Sequence, residues 1–298
     1  AKIGLGGAGT GASFANNSAS LAAVKLRMRL VGDHFEPDTR ATFLGQKLAM
    51  PVMASSTAGY GGHDLMDERA FNDAALQGCL DADTLSWRGD TEMYSLASHA
   101  ALDAIEAAGG KGIPIFKPRS QDDLKRLIDR AVTAGVPGVG VDLDGCGSTN
   151  MARAGQPVYR KSVRDIRALV QAAGKVPFIA KGILDPDDAE AAVEAGAKVV
   201  AVSNHGGRVL DCTPGVAEVL PAIRERVGEG VTLTADGGVR TGYDVLKMIA
   251  LGADAVLVGR DVIRAAIGGG AAGVALQMKR LHAVLAKAML MTNCPSVA

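Results

Sequence analysis

The chain has 298 residues, 48% of them hydrophobic, enough to bury one large core, and its 32 Lys+Arg balance its 32 Asp+Glu. A formal net charge of zero excludes a global field that would recruit nucleic acid or an anionic membrane surface, so only local positive charge could attract an anionic ligand. No apolar run reaches the roughly 18 residues of a spanning helix, and Cys79, Cys146, Cys212 and Cys294 show neither metal-ligand nor disulfide-framework spacing, which favours a reducing cytoplasm.

The opening Ala1-Lys2-Ile3-Gly4 carries no initiator Met and no signal-peptide pattern, so a native portion is expected to precede it. Gly4-Leu5-Gly6-Gly7-Ala8-Gly9 matches a dinucleotide fingerprint by letter, and Gly268 to Gly273 matches it again. No strand precedes the first, and the second lies between helical stretches, so both are chance matches in a chain with 38 glycines. From Met50 onward a beat appears: a short apolar run, a loop, then an amphipathic stretch. The runs are Pro51–Ser55, Thr84–Trp87, Ile113–Lys117, Gly138–Leu143, Pro177–Lys181, Lys198–Ser203, Val231–Ala235 and Ala255–Val258. Helical patterns separate them at Asp122–Ala134, Ser162–Ala173, Pro186–Ala195 and Thr241–Leu251. Asp185-Pro186 is a good helix opening and Ala195-Gly196 a good close. Eight strands alternating with helices predict a (β/α)8 TIM barrel, with an open doubly wound sheet as the competitor. No linker divides the chain, so residues 1–298 read as one domain with residues 1–48 as an N-terminal extension.

In such barrels the chemistry sits at the C-terminal strand ends. The first run ends in Ser55-Ser56-Thr57-Ala58-Gly59, hydroxyls that suit a flat polar ring, and the second in Ser86-Trp87-Arg88. The fourth ends in Asp142-Leu143-Asp144-Gly145, and strand alternation sends both carboxylates to one side. They could hold a metal, but the nearest histidine in sequence is His99, so no metal is expected. Orienting a histidine base is the better use for one of them. Lys181, at the fifth end, reads as a Schiff-base nucleophile, a fixed cation opposite developing negative charge, or a rim lysine. The sixth end places Ser203-Asn204-His205-Gly206-Gly207-Arg208 in the loop behind a β-branched strand. An isolated His-Arg pair is more often a loop histidine beside a surface arginine, but two glycines between them let backbone approach a ligand. The last two ends carry Asp236-Gly237-Gly238-Val239-Arg240 and Gly259-Arg260. Loops after strands seven and eight are the habitual phosphate site of this fold, and a helix N-terminus follows each. A phosphate-bearing ligand is expected there.

These motifs together resemble the FMN-dependent α-hydroxy-acid dehydrogenase/oxidase family, the family of glycolate oxidase and lactate oxidase. The resemblance is densest over residues 177–264 and recognisable from Glu36-Pro37-Asp38-Thr39 and Met50-Pro51-Val52-Met53 to Asp144. It implies that His205 is the catalytic base, paired with Asp144, that Arg208 holds the substrate carboxylate, and that Lys181 stands by the flavin edge where negative charge collects. It implies that Thr57, Ser86 and Asp142 lie along the flavin ring. Ser203, Asp236 and Gly237 belong to the cofactor site in this reading, and Gly238, Arg240, Gly259 and Arg260 receive the FMN phosphate. The activity implied is FMN-dependent oxidation of a small anionic 2-hydroxy acid to the 2-oxo acid, by a cytoplasmic homo-oligomer, a tetramer by resemblance. The rival readings are an FMN barrel of another class, like type 2 isopentenyl diphosphate isomerase, a flavin binder with a decayed substrate site, and a Schiff-base aldolase using Lys181.

Two departures stand out. The family's substrate-contacting tyrosine near the end of strand three is missing from Pro114-Ile115-Phe116-Lys117-Pro118. Of the four tyrosines, Tyr60, Tyr94, Tyr159 and Tyr243, only Tyr60 is expected near the pocket. The family's second substrate arginine has Arg153 as its nearest candidate.

Overall fold

The computed structural model describes residues 6–58, 65–90 and 99–297. Helix α1 (Ala12–Ala23) comes first, followed by an antiparallel hairpin of β1 (Ala41–Phe43) and β2 (Gln46–Leu48). Eight parallel strands then close into a barrel: β3 (Val52–Thr57), β4 (Ser86–Gly89), β5 (Ile113–Phe116), β6 (Val139–Asp142), β7 (Phe178–Ile183), β8 (Val199–Val202), β9 (Thr232–Ala235) and β10 (Ala255–Val258). β10 pairs back onto β3, with Val256 opposite Val52, and so leaves the sheet without an edge. The fold is the (β/α)8 barrel.

The strands form where the sequence is apolar on both faces, because helices cover the outside and side chains fill the inside. Met53, Trp87, Ile115, Ile179, Val199 and Leu257 point inward and make the lumen cluster, with Phe43 and Leu48 of the hairpin. Phe43 meets Trp87 at 6.0 Å between ring centroids, and Leu44 lies against Gly138, just before β6. The hairpin therefore plugs the N-terminal end of the barrel. Each such fully buried side chain contributes about 1.5–3 kcal/mol of transfer free energy.

Around the barrel lie α2 (Glu68–Leu80), α3 (Ala100–Ala107), α4 (Gln121–Thr133), the short α5 (Thr149–Arg153), α6 (Val163–Ala173), α7 (Pro186–Glu194), α8 (Val216–Val227), α9 (Gly242–Ala250) and α10 (Arg260–Thr292). Side-chain caps set the starts of all of these but α8 and α10, which begin at Gly215 and Gly259. Asp185 accepts from the backbone N–H of Asp187 and Asp188 with Pro186 in the first turn, and Ser162–Asp165 and Thr241–Asp244 are reciprocal capping boxes. The Gly-rich letters at Gly268–Gly273 lie inside α10, where Gly269 and Gly270 break the helical dihedrals. A helix, not a strand, precedes them, so they form no dinucleotide loop.

Candidate active site

The C-terminal ends of the barrel strands open into one cavity of about 690 Å3. His205 reaches it through unusual backbone. β8 ends at Val202, and His205, Gly206 and Gly207 all have positive φ (56°, 63° and 77°), in the left-handed region. That conformation costs a non-glycine residue roughly 1–2 kcal/mol, so the surroundings have to hold it. Ser203 Oγ accepts from the His205 N–H (3.0 Å) and donates to Asp236 Oδ2 (2.9 Å). The Gly207 N–H donates to Asn204 O (2.9 Å) and Oδ1 (3.0 Å). Asn204 is locked in turn by a reciprocal amide pair with Asn17 of α1 (2.8 and 3.0 Å).

His205 Nδ1 lies 3.1 Å from Asp144 Oδ1 and 3.3 Å from Asp142 Oδ2. Two carboxylates at Nδ1 assign the proton to that nitrogen and leave the lone pair on Nε2. The two aspartates converge by a route that alternation did not foresee. β6 ends at Asp142, and Leu143–Gly147 is a 3-10 turn, so Asp144 is brought in by the turn rather than by the pleat. Gly182 makes room for it, since a Cβ there would stand 2.4 Å from Asp144 Cγ.

Asp142 is the electrostatic centre. Lys181 Nζ donates to its Oδ1 (2.8 Å) and Lys117 Nζ to its Oδ2 (2.7 Å). Burial alone would raise its carboxyl, but His205, Lys117 and Lys181 hold it well below the usual carboxylate range. The ionised form therefore stabilises the fold above the ordinary carboxylate range. That contribution is lost as pH falls from there toward the depressed folded value. Burial works on Lys181 in the opposite sense, yet Asp142, Asp144 and Asp236 raise its ammonium above the usual lysine range. Lys181 is thus a fixed cation at neutral pH, not the neutral amine that Schiff-base chemistry needs. Asp236 is pushed up by burial against the pull of Lys181 and Ser203.

Asp142, Asp144 and His205 each bring a ligand atom within 4.8 Å of one another. Sequence distance misled here: the histidine nearest in space lies 61 residues beyond Asp144. Both Asp142 oxygens are nevertheless taken by ammonium groups, so a metal ion would be set among cations.

At the far end of the cavity Gly237, Gly238, Arg240, Gly259 and Arg260 come together. Arg260 donates to Gly206 O (2.9 Å) and Gly6 O (3.1 Å) and stacks over the Phe14 ring at 4.5 Å. Burial and then the neighbouring Arg208 and Arg240 depress it below the usual arginine range, against the pull of Asp236. Arg240 is exposed, 3.8 Å from Asp261 Oδ1. Arg208 borders the cavity exposed. Among the described residues the buried Ser56 Oγ, Thr57 Oγ1 and Asp236 Oδ1, all on cavity residues, have no partner within the protein. Left unmet, each would cost about 1–3 kcal/mol. Unmet hydroxyls at one end and gathered arginines at the other fit a ring bearing a phosphate tail.

Three expectations are corrected. Ser86 does not border the cavity: its hydroxyl accepts from Arg88 Nη1 (3.3 Å), whose Nε is held by Asn72 of α2. β4 runs to Gly89, two residues past Trp87, so Ser86 and Arg88 share the helix-facing side while Gly89 and Asp90 reach the cavity. Arg153 ends α5 exposed and lines no part of the cavity. Lys117 was read only as the end of a strand, yet it is a cavity residue. The signal was available, because it follows an apolar run as Lys181 does. Gly59, Tyr60 and Tyr94, and the first two letters of the Gly4–Gly9 match, lie outside the described residues.

The chain matches the FMN-dependent dehydrogenase family over residues 4–158 and 147–298. An L-lactate oxidase of Alicycliphilus denitrificans is 34% identical, across 95% of this chain and 86% of the relative. The 2-hydroxyacid oxidase 2 of Rattus norvegicus is 28% identical, across 98% and 89%. A crystal structure of mandelate oxidase superposes with a TM-score of 0.85 at 30% identity, covering 99% of this chain and 90% of that one. With a closed barrel, a carboxylate-bound histidine and an arginine-rich glycine cradle at its mouth, the chain belongs to the FMN-dependent dehydrogenase family.

Proposed function

We propose that this protein oxidises a small 2-hydroxy acid to the 2-oxo acid with FMN, and that His205 is its base. The observation that carries the reading is His205 Nδ1 held between Asp144 and Asp142 at the cavity, with Arg208 three residues on. Ser56, Thr57 and Lys181 would hold the ring of FMN, and Gly237, Gly238, Arg240, Gly259 and Arg260 its phosphate. FMN, when bound, supplies a two-electron acceptor. The chain's own residues do the rest: Arg208 orients the substrate carboxylate, and His205 Nε2 takes a proton from the substrate. Asp144 and Asp142 stabilise the imidazolium that results. The cytoplasmic homo-oligomer is kept in this reading. Four unpaired cysteines support the compartment, and the exposed Met28, Leu30 and Val31 support an assembly surface. Among the described residues no helix is long and apolar enough to cross a membrane.

The direct test is anaerobic addition of candidate 2-hydroxy acids to the FMN-loaded protein. Loss of the yellow colour with at least one of them is the expected result. Stable colour with all of them would leave a flavin binder with a decayed substrate site. The phosphate cradle has its own test. Arg260→Ala removes a charge-assisted contact of about 1.5–3 kcal/mol, roughly ten- to a hundred-fold in FMN affinity. Unchanged flavin retention in both Arg260→Ala and Arg240→Ala would remove the phosphate from this end of the cavity.

A further inference from the structure

Lys117 carries no role in the reaction as described so far, yet its turn is braced from several elements. Its backbone N–H donates to Oδ2 of the buried Asp90 (3.0 Å). Asp90 also grips the Arg119 guanidinium through two hydrogen bonds (2.9 and 2.8 Å). Tyr159 N–H donates to Pro118 O (2.8 Å) and Lys161 Nζ to Arg119 O (2.5 Å). Across the cavity, position 145 is glycine: a Cβ there would stand 3.0 Å from Pro118 Cδ and 3.1 Å from Lys117 Cδ, crowding the lysine's path to Asp142. The side chain is only 16% exposed, and its Nζ meets Asp142 Oδ2, the same oxygen that faces His205 Nδ1.

The charges around His205 explain why a second lysine belongs here. Asp142 comes from β6 and Asp144 from the turn behind it. Asp236 follows β9, Lys181 stands on β7, and Arg208 lies in the loop of His205 itself. A protonated imidazole cannot accept a proton, and two carboxylates in contact with Nδ1 favour that protonated form. Lys181 and Lys117 bind the two oxygens of Asp142, two positive charges set against the two carboxylates. Asp142 and Asp144 are the two carboxylates that touch Nδ1, and they are the pair to be balanced. Removing either aspartate would lose the hold on Nδ1. Cancelling their charge with a second ammonium keeps the hold and frees the base.

We propose that Lys117 is a positioning residue for the base: by neutralising Asp142 it opposes the pull of that carboxylate on an imidazolium proton while both carboxylates stay on Nδ1. The proposal rests on His205 being the base, and its test separates the two claims. The His205 ring is titrated by NMR in the FMN-loaded protein, with His205→Gln identifying its signal among the five histidines. The pH dependence of substrate-driven flavin reduction is measured beside it.

Lys117→Met is expected to move the His205 midpoint upward by about one to two pH units, the order of a nearby unit charge at an effective dielectric near 20. The acidic limb of the rate should move with it. Lys117→Arg should restore both. Asp142→Asn should shift the midpoint downward, and Lys117→Met with Asp142→Asn should bring it back toward wild type. A lysine that merely packed the turn would give neither opposite signs nor cancellation. A midpoint that stays put or falls in Lys117→Met overturns the proposal, whatever happens to the rate. If that variant does not fold, an unmoved midpoint in Asp142→Asn overturns it equally. A midpoint that moves as expected while the rate limb stays in place upholds the charge balance and removes His205 as the base.

Discussion

His205→Gln should keep FMN and the fold yet lose substrate-driven flavin reduction by about 10²–10⁴-fold, the range that a positioned general base supplies. Glutamine can still reach a carboxylate from its amide, so the polar contact with Asp144 (3.1 Å in the native protein) is replaced rather than deleted. What it lacks is an atom that accepts a proton at neutral pH. Arg208 is untouched, so the variant should still bind a 2-oxo acid product as a competitive ligand. The check is anaerobic stopped-flow reduction, with flavin content and product binding measured on the same sample. A variant reduced as fast as the native protein would refute the base assignment.

The second large effect is expected at Lys181. Its ammonium is 3% exposed and 2.8 Å from a carboxylate that is itself 5% exposed. Breaking a buried pair by removing one partner costs about 3–5 kcal/mol, because the other charge is left without compensation. Asp142 keeps Lys117, so Lys181→Met should fall toward the lower end of that range in denaturant unfolding. The variant should also lower the midpoint potential of bound flavin, since a cation beside the ring favours the anionic reduced form. Dye-coupled potentiometry reads that shift directly. A potential that is unchanged or higher would place Lys181 away from the ring.

The barrel was legible because its strands are buried on both faces. Runs such as Ile113–Phe116 and Ala255–Val258 carry that burial as unbroken apolar letters, and Asp185-Pro186 writes a helix start into the chain. The His205 loop was legible for a different reason: glycines that permit left-handed backbone sit beside a titratable ring. What stayed hidden depended on contacts between distant positions. Lys117 follows an apolar run as Lys181 does, but the carboxylate it meets lies 25 residues away. Ser86 was misjudged because β4 runs two residues further than its apolar letters, and that end decides which side chains reach the cavity. Helix α1 has no apolar stripe to betray it. Its buried residues are Ser13, Asn17 and Leu21, and polar contacts to residues about 190 positions later hold it in place.

That last feature bears on how the nascent chain matures. The amide pair between Asn17 and Asn204 closes a loop of 187 residues. Ser13 and Thr10 reach similarly far, to Leu210 and Asp211. During synthesis α1 is made well ahead of the loop it must grip, which follows roughly 10–40 s later at about 5–20 residues per second. A 12-residue helix with so little apolar surface does not hold together alone in that interval. The N-terminal segment therefore stays unsettled while β3 to β8 assemble. The left-handed turn carrying His205 gets its last support only when α1 returns to it.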